Sequence, residues 1–111
     1  MTNILPRPKA HSDATTILNI VAETWGEPAA LIIGRCRKQP LAFARQVAMA
    51  LTYTHTHLSS VGVAEFYDNR DHSTVLWAAK AVAAAEECDH EVKELIAGIR
   101  GRLTNPLLKA S

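Results

Sequence analysis

The run Arg70-Asp71-His72-Ser73-Thr74 sets a guanidinium, a carboxylate, an imidazole and two hydroxyls on consecutive residues. A carboxylate accepts from an exocyclic amino group, an imidazole or hydroxyl donates or accepts, and a threonine methyl can meet a thymine methyl. These are the groups that read base edges in a major groove when they sit at the start of a helix, where free backbone N–H groups also suit a phosphate. Arg70, just ahead, reads as a backbone anchor. A second group lies upstream, in Arg35-Cys36-Arg37-Lys38-Gln39-Pro40. Three cations crowded before a proline read as an exposed loop, able to lay a guanidinium in an adjacent minor groove. Arg45 and Gln46, shortly after it, suit phosphate oxygens.

The elements that position these groups follow from apolar spacing. Ser12 and Asp13 are good N-cap residues for a first helix carrying Ile17, Ile20, Val21 and Trp25, interrupted at Gly26. Pro28 suits the first turn of a short second helix through Ile33, with Gly34 as its C-terminal cap. Leu41 to about His57 lacks Gly and Pro, and predicts a long helix with Phe43, Val47, Ala50, Leu51 and Thr54 inward and Arg45 and Met49 elsewhere. Ser59 or Ser60 caps a short helix with Val63 and Phe66 inward, and Asp68-Asn69-Arg70-Asp71 supplies a turn. In His72–Glu87, Val75, Leu76, Ala79, Val82 and Ala83 form the buried face, with Ser73, Trp77 and Lys80 opposite. Asp89 caps a last helix striped by Val92, Leu95, Ile96 and Ile99, its end bracketed by Gly101 and Pro106. No strand alternation survives, so the expected fold is all-α. The domain is placed at about 12–104, between a flexible lead-in over 1–11 and a tail over 105–111.

A short helix, a turn and a longer helix with small polar groups at its outer start have the form of a helix-turn-helix, Ser59–Phe66 first and His72–Glu87 the reader. Composition is compatible. At 111 residues, 48% hydrophobic and 21% charged, the chain suits one small folded domain and excludes a multidomain enzyme. Apolar runs fall well short of the roughly 18 residues a membrane span needs, and nothing resembles an export signal, so a cytoplasmic, nucleoid-associated protein is expected. Net charge is only +1, yet residues 1–50 carry six basic and three acidic groups whereas 86–111 carry four and five. A local basic face can therefore meet a polyanion. Cys36 and Cys88 lack metal-site spacing and read as reduced thiols. His55 and His57 point in different directions on a helix, and Cys88-Asp89-His90 amid glutamates reads as a solvated junction, so no enzyme and no cofactor are expected.

The stretch Arg45-Gln46-Val47-Ala48-Met49-Ala50-Leu51, followed by Tyr67-Asp68-Asn69-Arg70-Asp71-His72-Ser73-Thr74-Val75-Leu76, resembles the C-terminal DNA-binding domain of the bacterial replication initiator DnaA. The likeness runs from about Ile20 to Thr104 and rests on the family's Arg-Asp-His-(Ser/Thr)-Thr-Val-Leu run. It implies about six helices with a helix-turn-helix of Trp-repressor-like type, and double-stranded DNA as partner at a short, asymmetric, A·T-containing DnaA box. By that resemblance Arg37 corresponds to the minor-groove arginine of a basic loop that includes Arg35 and Lys38. Arg45 and Gln46 correspond to backbone contacts, Asp71, His72 and Ser73 to base readers, and Thr74 to a phosphate contact. Trp77 and Lys80 complete the outer face.

The departures are specific. Ser60-Val61 stands where the family has a DNA-contacting Leu-Pro, and Cys36 and Gln39 thin the basic loop. Asp68-Asn69 replaces a Gly-Gly and brings an anion near phosphates, which weakens binding modestly. Trp77 replaces a smaller polar residue; a packing role is favoured over a stacking or sugar contact. No Gly-x-x-x-x-Gly-Lys-(Ser/Thr) occurs, so no nucleotide site and no ATP-driven melting are expected of this chain. The opening Met1 and the proline-containing lead-in favour a separate gene product over an excised fragment. The alternative function is a protein-interaction module that keeps the helices without sequence-specific binding, and oligomeric state is left open.

Overall fold

A computed structural model describes residues 6–104. Six helices follow one another: α1 (Pro6–Trp25), α2 (Ala29–Ile33), α3 (Leu41–His55), α4 (Ser60–Phe66), α5 (His72–Cys88) and α6 (His90–Thr104). The described residues contain no strand, as the absence of alternation predicts. The lead-in before Pro6, the tail from 105 onward and Pro106 lie outside the described residues.

α1 starts at Pro6, ahead of the expected cap at Ser12 and Asp13. Pro6 and Pro8 fall in the first turn, where the N–H groups they lack would have no intrahelical acceptor, so the helix is free to begin there. It stops where Gly26 takes φ +68°, a conformation that costs glycine little. Gly34 ends α2 as expected but in extended conformation, not left-handed, and its N–H donates to the Ala30 carbonyl.

The centre of the molecule is α3. It packs against α1, α2, α4 and α5, so apolar side chains are covered around nearly its whole circumference. Val47, Ala48, Met49, Ala50 and Leu51 are all buried. Met49 and Arg45, expected to point away from the core, are therefore inside, and Thr54 is exposed. A helix enclosed on several sides has no single stripe, and a one-face reading of its sequence misplaces such residues. Ala44, Ala48 and Ala50 are buried among these neighbours as well. Full burial of each large aliphatic side chain here contributes about 1.5–3 kcal/mol.

α5 packs on α3, α4 and α6 through Val75, Ala78 and Val82, with Ala79 half-buried. Leu76 and Ala83 are exposed instead of buried, because the contact stripe is rotated slightly from the expected one. On α6, Ile96 and Ile99 are buried while Leu95 is exposed, and the helix continues through Gly101 to Thr104.

Candidate nucleic-acid interface

The helix-turn-helix is assembled by local hydrogen bonds. Ser59 Oγ accepts from the Gly62 N–H at 3.1 Å and caps α4. Asp68 and Asn69 follow with φ of 68° and 52°. Both are left-handed, a conformation that aspartate and asparagine tolerate better than other non-glycine residues, which is why the pair can make this turn. The Arg70 N–H closes the turn on the Ala64 carbonyl at 2.9 Å.

Asp71 then caps α5. Its Oδ1 accepts from the Ser73 N–H at 2.9 Å and from the Ser73 hydroxyl at 2.8 Å. Those two bonds hold the Asp71 carboxyl below its ordinary range. The capping therefore spends the Ser73 hydroxyl proton inside the protein and leaves its oxygen as an outward acceptor. His72, Ser73 and Thr74 are exposed while Val75 is buried, so the first turn faces solvent on one side and the core on the other. One turn further, Trp77 is 70% exposed, and Lys80 holds its ammonium 5.7 Å from the centre of the indole. The favoured packing role for Trp77 is thus corrected: the helix turns that position outward, and α5 reaches the core through Val75 and Ala78 instead.

The basic segment stands beside the turn. Arg35 Nε lies 2.9 Å from Asp68 Oδ2, and Arg35 Nη2 donates to the Asp68 carbonyl at 2.7 Å. Arg37, Lys38 and Gln39 are exposed and Cys36 is half-buried. Gln46 and Ser60 are half-buried, and Val61 is exposed. An open groove of about 270 Å³ runs between α4 and the start of α5, walled by Val61, Glu65, Arg70, Asp71 and His72.

Two arginines expected at phosphates are used internally. Arg45 is only 8% exposed; its Nε donates to the Ile32 carbonyl at 2.6 Å and its Nη2 to the Cys36 carbonyl at 2.7 Å. Arg70 Nη1 donates to the carbonyls of Ile33, at 2.8 Å, and Tyr67, and its Nη2 donates to that of Gly34. Between them they take the carbonyls that the end of α2 leaves without helical partners. Burial lowers the pKa of both guanidiniums, and the Arg35 charge lowers each further. The physical reason is the shortness of α2: a helix of five residues exposes its C-terminal carbonyls at the chain reversal, and cationic donors satisfy them.

Sequence reasoning also missed what lies under the turn. Tyr67 is fully buried, and its hydroxyl lies 3.0 Å from Thr52 Oγ1, which itself donates to the Ala48 carbonyl. The Thr52 proton is thereby used, so the Tyr67 hydroxyl is the donor of the pair. Burial pushes the Tyr67 phenol well above its ordinary range and keeps that proton in place.

A family model described as bacterial DnaA protein helix-turn-helix matches residues 14–82. The chain is 40% identical over 73 residues to the chromosomal replication initiator protein DnaA of Bacteroides fragilis, covering 66% of this chain and 15% of that protein. It is 30% identical over 104 residues to the protein of the same name from Thermus thermophilus, 94% of this chain and 24% of that one. For that of Microcystis aeruginosa the values are 28% over 100 residues, 90% and 22%. The chain thus spans about a fifth of the length of these relatives.

Proposed function

The chain belongs to the bacterial DnaA helix-turn-helix family, and on that premise we propose that it binds double-stranded DNA sequence-specifically at DnaA-box-like sites, regulating transcription or replication initiation. The observation that carries this reading is the division of α5. Val75, Ala78 and Val82 hold it to the core, while His72, Ser73, Thr74, Trp77 and Lys80 stand outward beside a basic segment fastened to the same turn. α5 enters the major groove with His72 and Ser73 against base edges and Asp71 at their side. Thr74, Lys80 and Gln46 hold the backbone, Ser60 and Val61 flank it, and Trp77 contacts a sugar or base. Arg37, with Arg35 and Lys38, takes the minor groove. The unit that does this is the helical domain, residues 12–104 extended back to the start of α1.

No helix of the described residues is long and apolar enough to cross a membrane. The test is selection of bound duplexes from a random pool, followed by titration in increasing salt. A single enriched motif, with affinity falling steeply as salt rises and weakened by Arg37→Ala on every sequence, supports the reading. The protein-interaction alternative draws on the exposed carboxylates of Glu65 and Asp71 in the groove. Weak binding without an enriched motif, unchanged by Arg37→Ala, favours it.

A further inference from the structure

We propose that Asp68 acts as an internal stand-in for phosphate on Arg35, setting how much of the protein's DNA affinity is indifferent to sequence; this rests on the DNA-binding reading above. Arg35 makes two different bonds to one residue. Its Nη2 donates to the Asp68 carbonyl at 2.7 Å, which fixes where the guanidinium stands, and its Nε meets the Asp68 carboxylate at 2.9 Å, which cancels its charge. The two side chains are 65% and 46% exposed, so the pair sits in solvent and a phosphate oxygen can replace the carboxylate without opening the core.

The backbone supports a purpose beyond packing. Asp68 holds φ of 68°, a conformation glycine adopts more cheaply, yet this position carries a carboxylate that reaches back across the chain to residue 35. The turn itself is closed by the Arg70 N–H on the Ala64 carbonyl and does not need that carboxylate. Arg45 and Arg70 are committed to carbonyls, so Arg35 is the member of this three-arginine cluster whose charge remains exchangeable.

The consequence lies in ion release. A free arginine that neutralises a phosphate sets a condensed cation loose, which steepens the salt dependence of binding by about 0.9 per contact. When Arg35 must leave Asp68 to do so, the carboxylate is left as an unpaired anion and the pair brings no net positive charge to the duplex, so its share of the cation release is small. Asp68 thereby lowers affinity for any duplex alike while leaving base discrimination by α5 untouched, so it sets the sequence-indifferent part of the affinity without changing the ratio between sites.

The experiment is a double-mutant cycle on the full chain, with Asp68→Asn, Arg35→Gln and the double variant, each titrated with a random-sequence duplex and with the selected motif over a salt series. Asparagine tolerates the left-handed conformation and keeps the carbonyl that positions Arg35; Asp68→Gly, relaxed at that φ, is run in parallel, and circular dichroism checks that each variant is folded. The expected result is that Asp68→Asn tightens random-duplex binding by about 1.5- to 5-fold. Its salt slope steepens by about 0.9, and both effects vanish in the Arg35→Gln background. Equal effects in both backgrounds would mean simple repulsion between Asp68 and phosphate, and no effect in either would mean the pair is idle; each overturns the inference while leaving DNA binding intact. Failure of all the folded proteins to bind either duplex overturns the DNA-binding reading and the inference with it.

Discussion

The underside of the turn and the outer face of α5 are built from similar polar groups and put them to opposite uses. Beneath the turn, Arg45 and Arg70 satisfy carbonyls at the end of α2, the Thr52 and Tyr67 hydroxyls satisfy each other, and these groups are largely removed from solvent. On α5, His72, Thr74 and Lys80 stand in water; Ser73 is hydrogen-bonded to Asp71, and Lys80 lies over the Trp77 indole. A buried donor pointing at a carbonyl is worth most to stability, because its loss strands an acceptor away from water. An exposed donor contributes little to folding and is free for a ligand. Arg45 and Arg70 therefore hold the turn in place, and the residues on the outer face of α5 are left free for a ligand, which on the proposed function is duplex DNA.

The largest expected effect breaks the first half of that contrast. Arg45→Ala or Arg70→Ala strands carbonyls of α2 and should cost about 2–4 kcal/mol of stability in urea denaturation, with DNA binding lost on all sequences together. Lysine should not restore it, because one ammonium cannot span two carbonyls as a guanidinium fork does. If either alanine variant kept full stability and lost only duplex affinity, these arginines would belong to the interface after all. Next in size, Tyr67→Phe removes the donor to Thr52 and should cost about 1 kcal/mol, read as a lower denaturation midpoint at unchanged slope.

On the outer face, Trp77→Ala should change stability by less than about 0.5 kcal/mol while reducing duplex affinity measurably. A large loss of stability would mean the indole packs more than its exposure implies. The smallest effect is a pH response. Burial, then the Arg100 charge, lower the His55 pKa from its ordinary 6.5. The unfolded chain then binds that proton more readily, so the stabilising contribution is complete above about pH 6.5 and fades as pH falls through the lowered folded value. The melting temperature should drop modestly between pH 7.5 and 5.5, and His55→Gln should flatten that part of the curve.

The helices themselves were legible because caps and apolar spacing are local. Ser59, Asp71 and Asp89 each accept from N–H groups of the turn they precede, as their residue types predict. The exposed start of α5 was legible for the same reason. Arg45 and Arg70 were not, since a guanidinium that satisfies backbone carbonyls thirteen or thirty-seven residues away leaves no periodic trace in the sequence. An arginine on a helix and an arginine in a turn read as surface cations until the neighbouring backbone is in place. The enclosed helix α3 hid Met49 in the same way, and the Arg35–Asp68 pair joins two loops whose meeting depends on the whole fold.

The central claim is that His72 and its neighbours at the start of α5 discriminate bases. It is tested most directly by measuring the affinity of His72→Ala for the selected motif and for a random duplex at one salt concentration, against the unmodified chain. The account predicts a loss of about 1–3 kcal/mol on the selected motif with the random duplex nearly unchanged. An equal loss on both duplexes, in a variant that is fully folded, would contradict it.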